Sequence, residues 1–316
     1  MKTKRTGIAI AIAWPETYCK QAGSWYDPIM LRVGISKHYY YRAGHAALVL
    51  VESVSGHCYY FDFGRYHAPF QFGRVRSAAT DPGLAVKTKA VISEDGTKIL
   101  NFSDILLELQ QNPECHGDGT IHASFIPLDF HIAIEKSLEM QQRSPIPYGP
   151  FVFGGSNCSR FVQTVILAGK PKFWSAQKIK FLLPFTPTPM SNVKALPNRT
   201  AIAKLLATPN YCPKPVKKPK WLKTTIPAPD KHPGIPSNAQ WLSGEGAGSW
   251  FSIVSENGSY VIIRYNSNGE IECSGKFKPH GKKVFDANAP YRFEHLSHCR
   301  KVHIRQDDIM FEFNDV

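Results

Sequence analysis

Gly154-Gly155-Ser156-Asn157-Cys158-Ser159-Arg160-Phe161-Val162 is the stretch on which the reading of this chain turns. The two glycines make a turn. Ser156 or Asn157 can cap orphan backbone amides with a side-chain oxygen, so a helix starts here. Phe161, Val162, Val165 and Ile166 fall on one helical face. Gly169 and Pro171 stop the helix. Cys158 therefore sits in the first turn, where the positive end of the helix dipole favours thiolate, the nucleophilic form of cysteine. The plainer reading is a buried structural cysteine, because free cysteine is most often core. The surrounding chain decides between them.

Working outward, residues 128–142 read as an amphipathic helix carrying Phe130, Ile134, Leu138 and Met140. A strand over residues 120–126 and a short helix over 103–111 precede it. Residues 87–92 and 98–101 are further strand candidates. Before them Arg65, Arg74 and Arg76 decorate a loop that ends at Asp81-Pro82-Gly83. The strongest strand signal is a hairpin, with arms 45–51 and 57–64 around the turn Ser53-Val54-Ser55-Gly56. His45 opens its first arm. With the turn centred near Val54 and Ser55, His45 faces the region of Asp62 to Gly64 across the ladder. At the start of the chain Ile8, Ile10 and Ile12 alternate with small residues, the pattern of a first strand.

Nucleophilic cysteine chemistry needs a thiol that ionises, an imidazole in reach and a group that orients the imidazole. Cys158 supplies the first. Among twelve histidines, His45 stands out because Gly44 precedes it, Ala46 and Ala47 follow it, and it leads a buried strand. Asp62 lies inside the apolar run Tyr59-Tyr60-Phe61, where an unpaired carboxylate is costly and an imidazolium is a good partner. An ion pair of Asp62 with Arg65 or Arg42 is the structural alternative. His57 is the second candidate for the orienting role. Arg65, Arg74 and Arg76 could bind a substrate carboxylate or phosphate. Tyr26, in the aromatic loop Trp25-Tyr26-Asp27, is a further candidate for substrate contact.

These residues carry a resemblance. Gly44-His45-Ala46 opening a strand, a hairpin return with a polar residue, and the later Asn157-Cys158-x-x-Phe161-Val162 helix resemble the circularly permuted papain-like branch of the NlpC/P60-like superfamily. The Asn-Cys-x-x-Phe-Val run is similar to that of lecithin-retinol-acyltransferase-like proteins, and the whole N-terminal part, with the Tyr59 to Arg65 and Gly244 to Phe251 runs, looks like an uncharacterised bacterial family of such proteins. The resemblance covers about residues 39–169 and implies Cys158 as nucleophile and His45 as general base. Such proteins place a second histidine twelve residues after the first, which is the spacing of His57. The turn here is longer, and its geometry favours Asp62.

The expected fold class is α+β: a permuted papain-like antiparallel sheet packed on helices, with a small all-β domain after it. Residues 1–170 form the catalytic domain. Residues 171–239, rich in proline and lysine, read as an irregular extension and linker that includes the basic run Lys214-Pro215-Val216-Lys217-Lys218-Pro219-Lys220. Only residues 200–206 look helical there. Residues 240–316 read as antiparallel strands with Asn257-Gly258 and Asn268-Gly269 as hairpin turns. The loop Gly244-Glu245-Gly246-Ala247-Gly248 lacks the Lys-Ser/Thr of a phosphate loop. The spacing of His280, His295, His298, Cys299 and His303 matches no standard zinc pattern, so no metal and no cofactor are expected.

The net charge of +13 favours anionic partners, but the linker supplies much of it. A nucleic-acid partner rests on charge alone, without aromatic and basic residues at recognised spacing. Seven cysteines, an odd count without a C-x-x-C pair, argue against a disulfide framework and for a reducing, cytoplasmic location. The basic start and the apolar residues 7–13 mimic an export signal, but the apolar core is too short. No stretch is long enough to span a membrane. The expected function is cysteine-dependent hydrolysis or acyl transfer on a peptide, amide, ester or thioester substrate. The rival is an inactive binding module on the same fold, contacting an anionic polymer or surface.

Overall fold

The computed structural model describes residues 5–21, 23–149, 151–182, 187–203, 223–256, 258–281 and 283–316. Its first seven-stranded sheet comprises β1 (Gly7–Trp14), β2 (His45–Glu52), β3 (Cys58–Gly64), β4 (Phe72–Ser77), β5 (Ile121–Leu128), β6 (Ile146–Pro147) and β7 (Thr200–Ile202). The spatial order is β7-β5-β1-β2-β3-β4-β6, antiparallel throughout. β1 is central and fully buried. Its alternation sends Ile8, Ile10 and Ile12 to one face and Ala9 and Ala11 to the other.

That alternation positions the helices. A short helix α1 (Asp27–Arg32) follows β1, and α2 (Phe102–Gln111) packs Ile105, Leu106 and Leu109 on the isoleucine face. α3 (Phe130–Gln142), capped by Asp129, and α4 (Cys158–Ala168) pack on the alanine face. Ala9, Ala11 and Ala46 leave room for Phe161, Val162 and Val165 of α4, all 0% exposed. Burial of each of these side chains contributes about 1.5–3 kcal/mol. The start of α4 is thereby held over the start of β2.

Three sequence expectations change. Residues 72–77 are a strand, not loop: Arg76 pairs across the ladder with Asp62, and Arg74 with Gly64. Residues 87–101 contain no full strand, only the bridge Ile92–Ile99. Side chains take the backbone donors there: Glu108 accepts from the amides of Lys87 and Thr88 at 2.7 and 2.8 Å, and Asn101 from Val91 at 2.8 Å. Within residues 171–202 the chain forms α5 (Phe173–Leu182), α6 (Pro189–Ala195) and β7, which joins the edge of the first sheet. Pro189 starts α6 rather than breaking it, because the first helical position needs no N–H. Thr188 and Ser191 close a capping box around it. The helix expected over 200–206 is a strand at 200–202, and the rest of it, with the basic run at Lys214 to Lys220, lies outside the described residues.

The second sheet comprises β8 (Gln240–Ser243), β9 (Gly248–Glu256), β10 (Ser259–Tyr265), β11 (Ile271–Pro279), β12 (Arg292–His298), β13 (Lys301–Gln306) and β14 (Ile309–Asp315). Its order is β8-β9-β10-β11-β14-β13-β12. The edge strands approach each other: the Gln240 side chain donates to Tyr291 O at 2.8 Å and accepts from Phe293 N at 3.0 Å. The result is a near-barrel around Phe251, Phe277, Phe293, Phe311 and Phe313. Cys273 and Cys299, 26 residues apart, form a disulfide, a pairing the sequence reading did not include. Cys19, Cys58, Cys115 and Cys158 are free. Among the described residues no helix is long and apolar enough to cross a membrane, and no group of three or more potential ligands is gathered to hold a metal ion.

Candidate active site

Asn157, not Ser156, caps α4: its Oδ1 accepts from Arg160 N at 2.8 Å. Cys158 is the first helical residue and 8% exposed. Across from it, Gly44 has φ +76°, and a Cβ there would lie 2.9 Å from Trp14 O and 3.0 Å from Pro15 Cα. Only glycine fits that turn into β2. His45 follows, buried and stacked on Trp14 with centroids 5.9 Å apart. Its Nε2 lies 3.3 Å from Asp62 Oδ2. The Cys158 thiol is close enough to the imidazole for each to shift the other's pKa.

Asp62 is 0% exposed and fully partnered. Arg76 Nε donates to its Oδ1 at 2.9 Å, and Arg76 Nη2 and Tyr60 Oη donate to Oδ2, the latter at 3.2 Å. Arg76 also donates to Glu114 O at 3.0 Å and lies 4.0 Å over the Tyr66 ring. The electrostatics follow from these contacts. Burial opposes ionisation of Asp62, but Arg76 and His45 outweigh it and hold the carboxyl well below the usual range. Burial likewise opposes charge on His45, yet its bonds to Asp62 and Cys158 raise it from 6.5 to about 9. Burial pushes the Cys158 thiol up. The hydrogen bond and charge of His45, with smaller help from Ala46 N–H and Ser159, bring it below its ordinary value. The arrangement favours a thiolate–imidazolium pair.

The other sequence candidates are distributed differently. His57 is exposed, 4.6 Å from the Tyr59 ring, and its carbonyl accepts from Glu52 N. It sits at the far end of β2, about 25 Å along the strand from His45, so it does not orient that imidazole. Arg65, Arg74 and Arg76 are buried and already paired with carboxylates, which removes them as free anion binders. Arg74 makes a two-pronged pair with Asp81 at 2.7 and 2.8 Å. Arg65 pairs with Glu245 of the second sheet's glycine-rich loop at 2.6 Å and donates to Lys20 O. Arg65 nevertheless keeps one side on the cleft, and Tyr26 lies on the cleft as well. Sequence reasoning missed Arg76 as the partner of Asp62, and Glu245 altogether. The register of β3 with β4 would have exposed the first; the second joins residues 180 positions apart.

Two cavities flank the cysteine, of about 550 and about 530 Å³. Both reach Cys158, Cys19, Lys20, Arg65 and Tyr148. His45 opens only on the second, together with Thr17, Tyr18, His116 and Asp118. Each lies in the size range of small-molecule sites.

A mixed α/β protein with an antiparallel sheet, a cysteine at a helix start and a strand histidine beside it is the class that these features define. The chain belongs to the Type VI secretion system effector TseH-like family, whose model matches residues 9–173. Residues 239–316 match the DUF6695 C-terminal domain. Among solved structures, the crystal structure of the type VI secretion system effector TseH aligns with a TM-score of 0.38 and 17% identity, over 61% of this chain and 88% of that one. No curated protein matches the chain.

Proposed function

We propose that this chain is a cysteine hydrolase of amide, ester or thioester bonds, on a circularly permuted papain-like scaffold of the NlpC/P60-like kind. The Cys158 thiolate attacks the carbonyl carbon, and the backbone amide at the start of α4 stabilises the oxyanion. The sulfur–acyl bond forms as the bond to the leaving group breaks, and His45 gives its proton to that group. His45 then takes a proton from water, which cleaves the thioester and restores the thiolate. Asp62 fixes the imidazole orientation throughout. The observation that carries this reading is the 3.3 Å contact of His45 with a buried, ionised Asp62, beside a thiol held below its ordinary value.

Membership of a secretion-effector family supports a working place beyond the producing cytoplasm. So does the Cys273–Cys299 disulfide, because disulfides persist in oxidising compartments. We divide the chain into a catalytic unit at residues 1–170, the connecting segment 171–239 and a docked β-domain at 240–316.

The test is the pH profile of iodoacetamide alkylation at Cys158, read peptide by peptide by mass spectrometry. Alkylation with a midpoint well below the free-thiol value of about 8.5, shifted upward in His45→Ala, supports the pair. An inert Cys158, or identical profiles in both proteins, overturns it.

A further inference from the structure

The two cavities beside Cys158 differ in chemistry, and His45 tells them apart. In the hydrolase reading, on which this inference rests, the imidazolium protonates the leaving group. The leaving group must therefore lie on the side where His45 is accessible. That is the 530 Å³ cavity with Thr17, Tyr18, His116 and Asp118. The acyl portion, on the other side of the attacked carbon, is directed into the 550 Å³ cavity, which His45 does not line.

The 550 Å³ cavity is walled by Tyr26, Met30, Ile35, Phe151, Pro189 and Met190. Its charged wall residues are Lys20, Arg65 and Arg42, the last 59% exposed and 3.9 Å from Glu16. Lys20 and Arg65 share Glu245, which is buried behind them, and Arg65 is stacked 4.9 Å over the Tyr148 ring. Tyr26 and Phe151 hold each other edge to face at 5.5 Å, so the apolar rim is assembled from two separate segments. Two methionines, Met30 and Met190, from separate segments of the chain suit an apolar group of variable shape.

We propose that this cavity is the acyl-binding subsite, and that the substrate joins a large apolar acyl group to a polar amine, alcohol or thiol. Leaving-group polarity and acyl apolarity are then read on opposite sides of one sulfur. An aliphatic chain and a large apolar amino-acyl residue share the required chemistry.

The test uses chloromethyl ketones of the full-length protein's Cys158, R–CO–CH2Cl, in which R takes the acyl side. In one series R is linear, from methyl to decyl. In the other R is an N-acetylated amino acid residue, from glycine to leucine and phenylalanine. The second-order labelling constant at Cys158 is expected to rise with linear length by up to about fourfold per methylene until the cavity is filled, or to rise at least tenfold from glycine to leucine or phenylalanine. Whichever series responds identifies the acyl source. Met190→Trp narrows the cavity and is expected to lower the ratio of long-chain to methyl labelling at least tenfold. Labelling that is flat or falling with size in both series, while iodoacetamide still reacts with Cys158 as a thiolate, overturns the subsite and leaves the hydrolase reading intact. A Cys158 inert to iodoacetamide and to every ketone overturns both.

Discussion

His45 Nε2 lies 3.3 Å from Asp62 Oδ2, and the same carboxylate is held from behind by Arg76. The consequence is a chain of charges running from the guanidinium through the carboxylate and imidazole to the thiol. Each member is buried, so its charge depends on its neighbour and not on water. Removing a link changes the protonation of the next one, and this makes the site testable residue by residue.

The first test is the pH dependence of turnover with an activated ester. In the proposed mechanism activity requires Cys158 as thiolate and His45 as imidazolium. It is expected to rise as the lowered thiol loses its proton and to fall as pH passes through about 9, where His45 is deprotonated. A plateau extending unchanged past pH 10 contradicts the assignment. In Asp62→Asn the alkaline limb should move toward the ordinary histidine value of about 6.5, measured as kcat/KM.

Stability should follow the same groups with opposite signs. The depressed pKa values of Asp62 and Asp81 contribute stability above the unfolded aspartate value, and it is lost as pH falls below about 5. The raised pKa of His45 contributes stability that is complete below about 6.5 and lost as pH rises through about 9. The melting temperature should therefore peak near pH 5–6.5. In Asp62→Asn both flanks should flatten, which scanning calorimetry across pH 3–10 would detect.

Arg76 separates stability from chemistry. Arg76→Met leaves Asp62 buried without its cation and is expected to cost about 3–5 kcal/mol. The double variant Asp62→Asn with Arg76→Met removes both charges and should recover part of that loss in denaturant unfolding. It should not recover turnover, because no carboxylate then faces His45. Equal recovery of both would make Asp62 a merely structural residue.

Much of this site was legible locally. The cap at Asn157 and the glycine before His45 are short-range signals, and the hairpin turn fixes the register that brings Asp62 near His45. The parts that were not legible depend on distant partners. Phe72-Gly73-Arg74-Val75-Arg76 reads as a polar loop because a buried arginine is improbable until its carboxylate is known. Those carboxylates are Asp81 and Asp62, the second of them 14 residues away across a ladder. The Cys273–Cys299 pairing is similarly set by the closure of the second sheet, since spacing alone does not give connectivity. Recurring prolines made residues 171–239 read as irregular chain, yet Pro189 opens a helix that Thr188 caps.

Gly44 tests how tightly the strand start is set. Gly44→Ala meets both the positive φ and the contacts with Trp14 O and Pro15 Cα. The expected cost is about 1–3 kcal/mol, with His45 displaced and Cys158 alkylation at neutral pH reduced. A variant of unchanged melting temperature and alkylation rate would show that the turn relaxes without moving the imidazole.

Glu245 decides whether the β-domain is an appendage or a wall of the cleft. Its carboxylate reaches from the second sheet to Arg65 at 2.6 Å, Lys20 at 3.5 Å and Gln71 N at 2.7 Å, all within the first unit. Asp81 returns the connection by accepting from Arg264 at 2.9 Å. Glu245→Ala strands two buried cations beside Cys158, with an expected cost of about 3–5 kcal/mol. Because Arg65 and Lys20 line both cavities, the loss should reach chemistry as well as stability: KM for an activated ester should rise, and unfolding should split into separate transitions for the two sheets. Glu245→Asp, with its charge retained, should recover part of both. If Glu245→Ala unfolds in one unchanged transition and keeps its KM, the β-domain merely rests on the catalytic unit. Ion pairing this deep, 0% exposed on the Glu245 side chain, argues instead that the cleft is completed only when the second sheet is in place.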